Sequence, residues 1–139
     1  MEELFVPYDL ALKLKEKGFD LDCLGFYGDD GKLYFDQPVS NFCDGINPLY
    51  TVAPLFQQVI DWFREKHDIY VFVAPFVNYN VKNLQFTTCV VFTGRYGREW
   101  RHNPFCPKEG DELFNDYYKA LTKAIEEALK FFENNQLFL

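Results

Sequence analysis

Residues 53–67 read APLFQQVIDWFREKH, and residues 68–76 continue DIYVFVAPF. The first stretch has the period of an amphipathic helix. Leu55, Val59, Trp62 and Phe63 form an apolar stripe, widened by Phe56 and Ile60. Gln57, Gln58, Asp61, Arg64 and Glu65 fall on the opposite side. Asp61 and Glu65 can each meet a basic side chain three or four residues away. Pro54 suits the first helical position, where a missing N–H costs nothing. The second stretch is almost continuously apolar and β-branched from Ile69 to Phe76, as an interior strand would be. Pro75 must then sit at its end or at an edge. A helix running straight into a strand makes residues 53–67 the expected central packing element of a mixed domain.

Downstream, Asn78-Tyr79-Asn80 and Lys82-Asn83 supply a turn. Leu84 to Thr93 alternates Phe86, Thr88, Val90 and Phe92 with Thr87, Cys89, Val91 and Thr93. Both faces are partly apolar, so this strand too is expected to be central and antiparallel to its predecessor. Gly94 to Gly110 is irregular. Glu112 to Phe132 then gives the clearest helix. Tyr117, Ala120, Leu121, Ala124, Ile125, Ala128, Leu129 and Phe132 keep the i, i+3, i+4, i+7 pattern. Asp111 is the expected N-cap and Asn134 or Asn135 the stop. The tail Gln136 to Leu139 ends in LFL, which is expected to pack back or to bind a neighbour.

Upstream, Tyr8 to Lys17 reads as a helix entered at Pro7, with Leu10, Ala11 and Leu14 on one face. Lys13, Lys15 and Lys17 are left for solvent or for the negative helix end. Gly18 is placed to end it in a left-handed conformation, and Phe19 to make the accompanying hydrophobic contact. Asp22 to Tyr27 and Lys32 to Phe35 are short apolar runs around Gly28-Asp29-Asp30-Gly31, the composition of a hairpin turn. Asp36 to Tyr50 holds turn formers without a period and reads as a long loop. Loops of that length in a small domain are uncommon and hint at function or at missed structure. The resulting order is α-β-β-loop-α-β-β-α. It implies a single α+β domain over residues 1–139, a small antiparallel sheet packed with helices.

Composition narrows the function classes. The chain has 139 residues, enough for a core of its own, with 16 Phe, 9 Tyr and 2 Trp. Its net charge is −7. That argues against nucleic-acid binding, which depends on neutralising phosphates, and against docking on an anionic membrane. Solubility is the simplest account of the acidity. Imitation of nucleic acid would need the carboxylates laid out in a stripe. The opening MEELF is acidic, no apolar signal segment follows, and no run of about 18 apolar residues exists. Cys23, Cys43, Cys89 and Cys106 have wide, irregular spacings. They read as reduced thiols of a cytoplasmic protein.

Catalytic signatures are absent: the sequence has no P-loop, GxGxxG, HExxH or GxSxG. His102 and Cys106 stand four apart, and Cys43 or Cys23 could join them, yet zinc asks for four ligands. His67 fits better as a charged residue at a helix end. Cys–His catalysis has its ingredients here but no local pattern. Asp20, Asp22, Asp29, Asp30 and Asp36 occupy turns, where Asp is favoured for its own reasons. Neither a cofactor nor a metal is expected. One segment stands apart. Arg95, Arg98 and Arg101 recur at spacing three, interleaved with Tyr96 and Trp100 and followed by His102. Arginine grips carboxylate or phosphate with two hydrogen bonds, and Trp and Tyr give rigid contact area. This is the expected partner-binding segment. The competing account is a solvated loop whose arginines pair with the acidic body.

Three blocks also carry a resemblance: VPYDLALKLKEKGFD at residues 6–20, APLFQQVIDWFREKH at 53–67 and YYKALTKAIEEALK at 117–130. In this order they resemble small proteins of phages and prophages from gut bacteria of the Bacteroides type. They cover about a third of the chain. The helix–strand–strand–helix half also resembles the phage ABA sandwich domain. Neither resemblance brings an activity or a functional residue with it. The expected function is therefore that of a non-catalytic accessory protein of phage or mobile-element origin that binds a protein partner. Its expected contacts are the Arg95–His102 segment and the loop Asp36–Tyr50. The alternative is a small enzyme dependent on Cys, His or a metal. The apolar tail and the aromatic surplus add homodimerisation as an expectation.

Overall fold

A computed structural model describes residues 1–35, 50–78, 83–92, 99–100 and 112–135, with only the backbone described for 78, 99, 100 and 132–135. The fold is α+β, with helices and small antiparallel sheets. The chain divides into two compact units, residues 1–62 and 63–139.

The first unit opens with a 3₁₀ turn at Glu2–Leu4 and helix α1 at Tyr8–Glu16. Pro7 is the N-cap of α1, and Leu10, Ala11 and Leu14 are its buried face. Its ending follows the sequence. Gly18 has φ +87, its N–H donates to the Lys15 carbonyl (3.2 Å), and the Phe19 N–H donates to the Leu14 carbonyl (3.0 Å). These two bonds make a Schellman motif and satisfy carbonyls that the last turn leaves open. Phe19 is buried and meets the Trp62 ring at 5.5 Å.

Strands β1 (Gly25–Tyr27) and β2 (Leu33–Tyr34) form the expected hairpin, with Phe26 opposite Tyr34 and Tyr27 opposite Leu33. Within the turn Gly31 takes φ +74, and Asp30 Oδ1 accepts the Lys32 N–H at 3.0 Å. A third strand, β3 at Thr51–Ala53, pairs with β1 and makes the sheet order β2-β1-β3. The sequence reading placed Ala53 at the start of the helical stretch and gave Thr51 and Val52 to no element. A strand so short has no period of its own; it exists because β1 offers it a ladder.

The N-terminal segment extends this arrangement. Phe5 bridges to Leu55, and the Val6 N–H donates to the Pro54 carbonyl at 3.0 Å. The buried Tyr27 hydroxyl donates to the Val6 carbonyl. Burial, and then the nearby Glu2 charge, raise the Tyr27 pKa, which keeps that hydroxyl a donor.

Helix α2 spans Phe56–His67. Its start corrects the sequence reading. The Leu55 carbonyl accepts the first helical bond, from Val59, and Gln58 Oε1 accepts the Leu55 N–H at 3.0 Å. Leu55 is thus the N-cap and Gln58 supplies half of a capping box, so Pro54 lies before the cap and not at the first helical position. Phe56, Val59, Trp62 and Phe63 are buried, as the stripe requires. On the outer side Gln57 Nε2 donates to Asp61 Oδ1 at 3.0 Å, and Arg64 pairs with the adjacent Glu65 at 3.5 Å. The division between the two units falls inside α2, after Trp62.

Asp68 alone joins α2 to the next strand, and its φ of +55 is left-handed. Asp tolerates that region better than most side chains. The second unit is built on strands β4 (Ile69–Asn78) and β5 (Asn83–Phe92), matched through all ten pairs from Ile69–Phe92 to Asn78–Asn83. Strand β6, Glu99–Trp100, pairs with the other side of β5. The order is β4-β5-β6, so among the described residues β4 is an edge and β5 is central. The reading of 69–76 as an interior strand is corrected accordingly. Tyr70 and Phe72 are exposed while Ile69 and Val71 are buried. Pro75 lies inside the strand, which an edge accommodates.

Helix α3 runs Tyr117–Asn135 and packs on β4 and β5. It starts where the apolar period does, five residues after the expected start at Glu112, because Phe114 exchanges two backbone hydrogen bonds with Phe86 (2.7 and 2.9 Å) and is held extended. Asp116 is the cap. Its Oδ1 accepts the Lys119 N–H at 3.0 Å and its carbonyl the Ala120 N–H at 3.1 Å. Asp111, the expected cap, lies outside the described residues. Ala120, Leu121, Ala124, Ile125, Ala128, Leu129 and Phe131 are buried. Tyr117, placed on the apolar stripe by the sequence, is 44% exposed but meets Phe86 edge-on at 5.7 Å. Phe131 stacks on Phe92 at 3.4 Å. From Phe86 to Phe92 a strand rises ~20 Å. From Tyr117 to Phe131 a helix rises ~21 Å. The helix therefore runs alongside β5 in the same direction with matched length.

Candidate functional site

The Arg95–His102 segment lies mostly outside the described residues: Arg95, Tyr96, Arg98, Arg101 and His102 all do. Trp100 is the exception for its backbone, which pairs with Val91 in β6. That dipeptide is strand, where the sequence suggests irregular chain. The loop Asp36–Tyr50 is described only at Tyr50, and the tail Gln136–Leu139 not at all.

Tyr50 leads to a site that sequence reasoning missed. The Phe26 ring lies between two tyrosines. Tyr34 stacks against it at 5.2 Å with planes 18° apart, and Tyr50 meets it at 4.9 Å, tilted by 34°. The three side chains share one face of the β2-β1-β3 sheet. Tyr34 and Phe26 are cross-strand partners, and Tyr50 immediately precedes β3. Tyr27, the next residue along β1, points to the other face and meets Tyr8 of α1 at 5.3 Å. Helix α1 thus covers one side of the sheet, and the aromatic run stands on the other. Tyr34 is 46% exposed and Tyr50 45% exposed.

Polar contacts fix this run. The Tyr34 hydroxyl donates to Asp30 Oδ2 at 3.4 Å, tying the β2 ring to the hairpin turn. Lys15 Nζ donates to the Tyr50 carbonyl at 3.2 Å, tying the chain before β3 to α1. Asp29, Asp30 and Lys32 are exposed in the turn beside the rings. The arrangement is an aromatic centre with a mixed, carboxylate-bearing rim. Such a face offers large rigid contact area at small entropic cost. The reversal was within reach of the sequence, but the register was not: the Gly28 N–H donates to the Lys32 carbonyl at 3.1 Å, and that closure sets Phe26 opposite Tyr34. Tyr50 was not within reach either, because its place depends on β3.

The nucleophile candidates sit elsewhere. Cys23 and Cys89 are buried thiols. Burial, with a smaller contribution from the Asp22 charge, pushes Cys23 up to about 12, and burial pushes Cys89 up to about 11. Both are protonated at neutral pH, the wrong state for attack or for metal ligation. Cys43, Cys106 and His102 lie outside the described residues. His67 ends α2 with its ring 6.3 Å from that of Phe63. Among the described residues no group of three His, Cys, Asp or Glu side chains could hold a metal ion. Among them, too, no helix is long and apolar enough to cross a membrane.

No family model matches the chain, and neither a curated protein nor a solved structure shows detectable similarity to it.

Proposed function

We propose that this chain is a non-catalytic accessory protein that works by binding a protein partner through the outer face of its N-terminal sheet. The exposed Tyr34–Phe26–Tyr50 run carries the reading. Tyrosines of this kind, rigid and half-exposed at the centre of a polar rim, are the side chains that anchor protein interfaces. A net charge of −7 and the carboxylates of Asp29 and Asp30 beside the rings favour a partner with a basic rim over a phosphate polymer. Tyr50 also closes the loop Asp36–Tyr50, which the sequence already singled out. Origin in a phage or mobile element rests on the three resembling blocks, and a cytoplasmic setting on the cysteine pattern.

The test is quantitative affinity capture from the native cell with wild type and a Tyr34→Ala/Tyr50→Ala variant. Wild type is expected to enrich one protein well above a control bait. The variant, its far-UV circular dichroism unchanged, is expected to lose it. Equal recovery by both baits would sink the proposal.

A further inference from the structure

Given the protein-binding role proposed for the aromatic face, on which this reading rests, we infer that its Tyr34 end takes an arginine of the partner. The Tyr34 ring and the Asp30 carboxylate converge over Gly28. A Cβ on Gly28 would stand 2.9 Å from Asp30 Oδ1 and 3.4 Å from Tyr34 Cε2, so both groups lie against bare backbone. Two hydrogen bonds hold the carboxylate beside the ring. The Lys32 N–H donates to Oδ1 at 3.0 Å and the Tyr34 hydroxyl to Oδ2 at 3.4 Å. An ionised carboxylate offers about four acceptor sites. Each Asp30 oxygen has one taken, which leaves one on each for a two-pronged donor.

A guanidinium is such a donor. Its parallel N–H groups match a carboxylate, and its flat face stacks on an aromatic ring. The ammonium of lysine is a point charge and lacks that fork. Charge places the cation at this end of the face. Asp29 and Asp30 stand exposed in the turn against the single lysine Lys32. At the opposite end the Tyr50 carbonyl is held by the cation of Lys15. The face therefore runs from negative at Tyr34 to positive at Tyr50, with the half-buried Phe26 between them. The net charge of −7 adds a longer-ranged attraction for a basic segment.

Chemical-shift titration of the isotope-labelled protein with two peptides tests the inference. One is acetyl-Leu-Arg-Leu-amide, whose leucines offer apolar surface to Phe26 and Tyr50. The other replaces its arginine by citrulline, the uncharged isostere. The arginine peptide is expected to shift the Tyr34 ring and the Lys32 amide to saturation, and the citrulline peptide to bind about tenfold more weakly. Asp30→Asn, whose amide oxygen can still accept the Lys32 N–H, is expected to weaken the arginine peptide about fivefold. Equal binding of the two peptides overturns the inference. So does the absence of saturable shifts with the arginine peptide, or an Asp30→Asn variant that binds it as wild type does. A protein captured by wild type and lost on Tyr34→Ala/Tyr50→Ala, with no preference for arginine over citrulline, keeps the binding face and removes its arginine. Arginine preference without any captured protein removes the protein partner and keeps the arginine site.

Discussion

The two units of this chain hold together in different ways. The unit of residues 63–139 rests on long elements: one hairpin with ten matched pairs, and one 19-residue helix packed along it. The unit of residues 1–62 has strands of two or three residues, tied by contacts between distant positions. Tyr27 reaches Val6 across 21 residues, Lys15 reaches Tyr50 across 35, and Gln58 Nε2 reaches the Asp22 carbonyl (2.8 Å) across 36. Long elements can carry their own signal in hydrophobic period. Short ones are defined by their partners, and single polar contacts matter more to them.

The contrast can be broken most forcefully at the core of the second unit. Phe92 is fully buried and stacked on Phe131. Phe92→Ala should cost about 3–5 kcal/mol, seen as a lower denaturation midpoint. A loss below about 1 kcal/mol would mean that the helix does not depend on this contact.

Next comes the tie that sets the first unit apart. Tyr27→Phe removes a hydroxyl and leaves the Val6 carbonyl buried without that donor, which should cost about 1–3 kcal/mol. Amide exchange should quicken in β1 and β3 first. Uniform acceleration over both units would show that the long-range tie has no local importance.

Asp116→Ala removes the α3 cap and should cost about 1 kcal/mol, with fraying confined to the first turn after Tyr117. The apolar face of α3 is expected to hold the rest of the helix. Loss of the entire helix signal would contradict that division of labour.

The weakest effect at neutral pH, yet the one that compares the units thiol by thiol, is alkaline titration. The folded pKa of Cys23 is raised from 9.0 to about 12 and that of Cys89 from 9.0 to about 11. The folded protein holds both protons more tightly than the unfolded chain. Their contribution to stability is therefore whole below about pH 9 and lost as pH rises toward 11 and 12. Tyr27 shifts in the same direction. Denaturation midpoints should fall steadily above pH 9, and neither thiol should react with a disulfide reagent at neutral pH while folded. Rapid labelling of Cys23 or Cys89 would reopen the enzymatic alternative for that residue.

The same contrast explains what the amino-acid order disclosed. Helices α1, α2 and α3 and the β4–β5 hairpin were legible because each buries a face with a regular period. The boundaries failed where one backbone bond decides them. Phe114 is pulled into a bridge with Phe86, which delays α3, and Leu55 takes the cap, so that Pro54, expected just after the cap, lies before it. Among the described residues β4 is an edge and not the interior strand expected, because period reports burial of side chains and not the number of strand neighbours. The candidate site was half legible. The hairpin runs that hold Phe26 and Tyr34 are visible in the sequence, but their pairing depends on the closure of Gly28 on Lys32, and Tyr50 joins them only through the three-residue strand after it.

Side-chain footprinting by hydroxyl radicals, comparing the protein alone with its complex with the captured partner, tests the central claim most directly. Protection is expected to concentrate on Tyr34, Tyr50 and Phe26, while exposed aromatics elsewhere, such as Tyr117, keep their reactivity. Unchanged reactivity of Tyr34 and Tyr50 in the complex would contradict the account.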